Sequence, residues 1–157
     1  NEIHSKFHTT ARGKLNTILL QIYLGLSPLR GQRFTHNVSD NPFCPFCLDC
    51  IDTAMHLFLE CTSYAASRVI LLNEVETCYD YFVSCFNNNT RKMSFNITSV
   101  KLLELMLNGF SSVYVANNNN INKSLLDKYH TCNATLHTSV INFMYSTKRF
   151  TLQFETV

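Results

Sequence analysis

Residues 41–61 read NPFCPFCLDCIDTAMHLFLEC, from Asn41 to Cys61. Within them Cys44, Cys47, His56 and Cys61 follow the pattern C-x2-C-x8-H-x4-C. Two residues between the first cysteines let a turn such as Pro45-Phe46 aim both sulfurs at one ion about 2.3 Å away, and His56 and Cys61 can meet that ion from a short helix and its end. Three thiolates and one neutral imidazole complete a tetrahedral shell with no open position, so the chemistry implied is a structural Zn2+ and not a catalytic one. Cys50 lies in the same loop and competes with Cys47 through a C-x5-C pairing, although the two-residue turn is the commoner geometry. A redox dithiol at Cys44 and Cys47 fits less well, because no βαβ setting surrounds the pair. The segment has few apolar residues of its own, so metal would supply part of its folding free energy.

Outward from this stretch the pattern is helical. Leu15, Ile18, Leu19, Ile22, Tyr23 and Leu26 recur at three and four spacing, with Ser27-Pro28 closing the run. Pro28 can open a second helix through Leu29 to about Asn37. A short helix fits Thr53 to Leu59. Thr62-Ser63 caps a long one bearing Tyr64, Ala65, Arg68, Val69, Leu71, Leu72, Val75, Cys78 and Phe82, broken by the polar run at 87–90. A further helix runs from Ser99 to Asn108, with Gly109 as its C-cap. After a polar loop at 117–120, the last helix is expected from Asn122 to Arg149. Cys78, Cys85 and Cys132 fall on apolar faces, where a thiol behaves as a small buried hydrophobe. No β-rich segment appears beyond Asn41 to Cys50. The fold class expected is mainly α: one compact domain in which a basic segment (1–40) and a helical segment (63–157) flank the zinc module (41–62).

The 157 residues suit one domain, and 46% hydrophobic with 15% charged residues is too apolar for a disordered tail. Seven cysteines cannot all pair within one chain, and four glycines and three prolines argue against a disulfide scaffold. No apolar run is long enough to span a membrane, and the first residues, with Glu2, His4, Lys6 and His8, lack the core of a signal peptide. The expectation is therefore an intracellular protein, in cytoplasm or nucleus, with sequons (Asn37, Asn88, Asn96, Asn122, Asn133) of no consequence. The net charge of +2 hides basic ends and an acidic middle: residues 43–85 carry Arg68 against Asp49, Asp52, Glu60, Glu74, Glu76 and Asp80. Asn1 in place of Met suggests a piece of a longer chain. No G-x-S-x-G, phosphate-cradling glycine loop or H-E-x-x-H is present.

Several short elements in order carry a resemblance: Leu24-Gly25-Leu26-Ser27-Pro28-Leu29-Arg30, His36-Asn37, Asp40-Asn41, the C-x2-C and H-x4-C pairs, Tyr64, Arg68, Leu107-Asn108-Gly109 and Phe143-x3-Thr147-Lys148-Arg149-Phe150. Together they resemble the C-terminal zinc-binding (CCHC) region that follows the polymerase in reverse transcriptases of non-LTR retrotransposons, over about Leu15 to Phe150. Thr62 stands where that family often has Pro. No Asp-Asp pair occurs, so the paired carboxylates of two-metal phosphoryl transfer are missing and no catalytic residue is expected here. The resemblance implies a non-enzymatic tail that holds RNA or DNA for an upstream polymerase domain of the same polypeptide, with Arg30, Arg33, His36, Arg68, Lys148 and Arg149 as candidate contacts. Phe43 and Phe46 would either stack on a base or pack in the core. The alternatives are a structural or protein-interaction module that buttresses the polymerase, and an inactive remnant.

Overall fold

The computed structural model describes residues 11–86, 97–111 and 123–150, which form a helical assembly without a β-strand among them. The expected breaks at 87–90 and 117–120, and His4 and His8, lie outside the described residues. Helix α1 (Ala11–Tyr23) buries Leu15, Ile18, Leu19 and Ile22, one stripe at helical spacing. It ends three residues before the expected point, and Gly25 is the reason. At φ +70° this residue takes the left-handed conformation, so Gly25 N–H reaches Ile22 O and Leu26 N–H reaches Gln21 O, the two bonds of a Schellman stop.

Helix α2 (Arg30–Thr35) is shorter than Leu29 to Asn37. Leu29 occupies its N-cap and has no side-chain oxygen to offer, so the cap comes from elsewhere. Asp52 Oδ2 accepts Arg30 N–H at 2.7 Å and Asp52 O accepts Gly31 N–H at 3.1 Å. A Cβ on Gly31 would lie 2.8 Å from Asp52 O and 2.9 Å from Ile51 Cγ2. Only glycine permits that approach.

After a single 3-10 turn (Thr62–Tyr64), α3 (Ala65–Phe86) buries Leu71, Val75, Cys78 and Phe82 against α5 (Lys123–Ser146), the most extensive helix pairing among the described residues. From α5 come Cys132, Leu136, Val140, Ile141, Phe143 and Met144. Cys78 and Cys132 are buried as expected, whereas Cys85 is only half-buried. Helix α4 (Ser99–Asn108), capped by Thr98 and Gly109, agrees with its expected bounds. It delivers Phe110 to a stack on Phe82 with ring centroids 4.0 Å apart. Phe110 is held at both backbone groups: its N–H donates to Asn133 Oδ1 at 2.7 Å and its carbonyl accepts Tyr129 Oη at 2.8 Å.

The expected helix to Arg149 instead stops at Ser146. Thr147 Oγ1 donates to Met144 O, and Lys148 turns the chain at φ +51°. That reversal sends Arg149 and Phe150 inward, to 9% and 1% exposure. No helix among the described residues is long and apolar enough to cross a membrane.

Candidate metal centre

The four residues singled out by spacing come together from two small structural devices. The first is a knuckle at 43–51. An isolated antiparallel bridge joins Phe43 to Ile51, Cys44 N–H donates to Cys50 O at 2.8 Å, and Leu48 N–H closes the turn on Cys44 O at 3.0 Å. Leu48 sits at φ +65°, a left-handed conformation that costs a side-chain-bearing residue roughly 1 kcal/mol or more. The chain accepts it because this turn brings Cys44 and Cys47 to one side.

The second device is a widened helical turn. Thr53 starts it: its Oγ1 accepts His56 N–H at 3.1 Å and its carbonyl accepts Leu57 N–H at 2.9 Å. His56–Glu60 then winds as a π-helix, with Cys61 N–H on His56 O at 2.7 Å. On an ordinary α-helix, residues five apart point about 140° away from each other. The wider turn returns Cys61 toward the His56 side, so H-x4-C spacing becomes a ligand pair.

The donor atoms Cys44 Sγ, Cys47 Sγ, Cys61 Sγ and one His56 ring nitrogen all lie within 4.8 Å of one another. Cys44 Sγ is 3.9 Å from Cys61 Sγ, and Cys47 Sγ is 3.3 Å from His56 Nε2. A tetrahedral zinc with its usual bond lengths would set these edges at about 3.8 Å and about 3.6 Å. The residues therefore fit a metal ion. Cys44, His56 and Cys61 are buried and Cys47 is half-buried, so the pocket is nearly closed to water.

The backbone is arranged for thiolate. The Asp49 N–H is the largest influence on Cys47, and with the Cys50 N–H it bonds the sulfur and lowers its pKa. At Cys61 burial dominates and pushes the thiol up to about 11, against a lowering bond from Ser63 N–H. A bound cation would reverse that preference, since metal displaces the proton. Cys50 is exposed and stands outside the cluster. Its contribution is backbone, an acceptor for Cys44 and a donor to Cys47.

The six candidate contact residues separate into two groups. Arg33 is exposed on α2 and His36 at its C-cap, Lys148 is exposed at the C-terminal turn, and Arg30 is half-buried with its N–H on Asp52. Arg68 and Arg149 are occupied inside the fold. Arg68 Nε donates to Phe58 O at 3.0 Å and its Nη2 to Cys61 O, holding carbonyls that end the π-turn. Arg149 pairs with the Asp52 carboxylate and lies over the Phe46 ring, 5.3 Å from its centroid. Phe46 also packs on Tyr64 at 5.5 Å, so this ring serves packing even though 42% of it is exposed. Phe43 is 44% exposed and faces Ile51 across the bridge.

Asp52 was not distinguishable in the sequence from the other acids of the middle segment. It is 1% exposed, caps α2 and joins the knuckle to the turn after α5. Its only sequence cue is its place just before Thr53 at a helix start. Comparison of the chain with protein families, curated proteins and solved structures yields no match.

Proposed function

We propose that this chain is a zinc-stabilised C-terminal segment of a retroelement reverse transcriptase that holds RNA or DNA for an upstream polymerase domain, has no catalytic site of its own and works inside the cell. The observation that carries the zinc part is the convergence of three sulfurs and one imidazole nitrogen within 4.8 Å, at edge lengths suited to a tetrahedral ion. With all four positions taken by protein, the metal would hold the knuckle and the π-turn together. Exposed Arg33 and Lys148 bring positive charge, and exposed His36 and the Phe43 ring bring further groups, for contact with a nucleic-acid strand.

A second reading, a protein-interaction module that buttresses the polymerase, draws support from two of the six basic candidates. Arg68 and Arg149 are spent on internal contacts, which leaves less positive charge for phosphate. Two measurements decide. Purified protein should carry one zinc per chain and lose helicity on chelation, and Cys61→Ser should abolish stoichiometric zinc; unchanged circular dichroism and melting in that variant would refute the ligand set. Binding to RNA or DNA should fall linearly in log affinity with log salt, and no binding at about 50 mM salt favours the second reading.

A further inference from the structure

His56 presents Nε2 to the ligand cluster, 3.3 Å from Cys47 Sγ, which leaves Nδ1 on the far side of the ring. His56 is 2% exposed, and its Nδ1 is buried with no hydrogen-bond partner among the described residues. An imidazole that gives the Nε2 lone pair to a metal carries its proton on Nδ1, and that N–H needs an acceptor. Glu60, four residues on in the same π-turn, has Oε2 4.0 Å from Nδ1. That is about 1 Å longer than a hydrogen bond, and the Glu60 side chain is 59% exposed, free to rotate the remaining distance.

We propose that Glu60 is the positioning residue of the metal centre: its carboxylate accepts a hydrogen bond from the Nδ1–H of His56 and so selects the tautomer and ring orientation that deliver Nε2 to the metal. The π-turn serves two purposes in this arrangement. It brings Cys61 round to the metal side and holds Glu60 beside the opposite edge of the imidazole. Glu60 touches no metal itself. The inference rests on the metal-centre reading above.

The test compares zinc affinity, by competition with a chromophoric chelator, among the wild-type chain, Glu60→Ala, Glu60→Gln and Asp40→Ala. Asp40 is an exposed carboxylate three residues before the knuckle, so it measures the loss of one nearby negative charge alone. Glu60→Ala should weaken zinc about tenfold, the low end of the usual effect of removing such a partner. Glu60→Gln keeps an acceptor oxygen and should recover most of that loss, and Asp40→Ala should change affinity by less than about threefold. In the zinc-loaded protein the His56 Nδ1–H resonance should lie downfield in wild type and move upfield in Glu60→Ala. Equal affinities for Glu60→Ala and Asp40→Ala, or an unmoved Nδ1–H resonance, would overturn the assignment. A wild-type chain that takes up no zinc removes the metal centre as well, and is recognised because no variant then binds.

Discussion

Replacing Asp52 by Ala should be among the most damaging single substitutions outside the metal ligands. The carboxylate is 1% exposed and meets the Arg149 guanidinium, itself 9% exposed, and the Arg30 N–H at 2.7 Å. Removing one member of a buried ion pair costs about 3–5 kcal/mol, because the remaining charge is stranded, and the loss of the α2 cap adds about 1 kcal/mol. Asp52→Asn keeps the acceptor for Arg30 and loses only the charge, so it should cost less, about 1.5–3 kcal/mol. At about 2–4 °C per kcal/mol for a chain of this length, Asp52→Ala should melt roughly 8–24 °C below wild type. The assay is guanidinium unfolding followed by circular dichroism with zinc in excess, on Asp52→Ala, Arg149→Met and the double variant. The double variant should be little worse than Asp52→Ala, because neither charge is then left unpaired. A loss below about 1 kcal/mol for Asp52→Ala, with additive single effects, would show that the pair does not hold the knuckle.

Two further outcomes follow from packing. Gly31→Ala places a methyl group 2.8 Å from Asp52 O and 2.9 Å from Ile51 Cγ2 and should destabilise by about 1–3 kcal/mol in the same unfolding assay, whereas an unchanged midpoint would mean that α2 moves freely off the knuckle. Cys132 is 1% exposed and burial raises its thiol to about 11, so its neutral form stabilises the fold fully below the unfolded value near 8.5 and this contribution is lost as pH rises through 11; the pH dependence of stability in Cys132→Ala should therefore be flatter than wild type between about pH 9 and 11, and superimposable curves would refute it.

Local regularity made much of this molecule readable in its sequence. The stripe Leu15, Ile18, Leu19, Ile22 and the stripe Leu71, Val75, Cys78, Phe82 are both buried as their spacing requires. The ligand spacing likewise put Cys44, Cys47, His56 and Cys61 in one cluster. What stayed hidden depends on chain segments meeting late or on backbone that leaves the regular conformations. Nothing near Asp52 or Arg149 announces a partner 97 residues away. Lys148, with no glycine to mark a left-handed turn, gave no signal that α5 would stop at Ser146. The π-turn between His56 and Cys61 depends on the ligands it joins and on Arg68 holding its carbonyls, so periodicity alone reads it as a short ordinary helix. The charge count is incomplete for a similar reason: Asp52, one of the six acids of the middle segment, is paired with Arg149 inside the fold.

The Asp52 to Arg149 contact also imposes an order of events on folding. The knuckle and π-turn close over 18 residues, from Cys44 to Cys61, so they can gather metal while most of the chain is still unstructured. Joining Asp52 to Arg149 closes a loop of 97 residues, at an entropic cost about 1.5 kcal/mol greater than the metal loop by the logarithmic rule. In a nascent chain the ligand cluster can therefore gather early, whereas the latch forms only after α5 has been synthesised and docked on α3. Until that latch closes, the carboxylate that caps the α2 start has no counter-ion, so the α2 start and the knuckle gain their ion pair only from the last part of the chain.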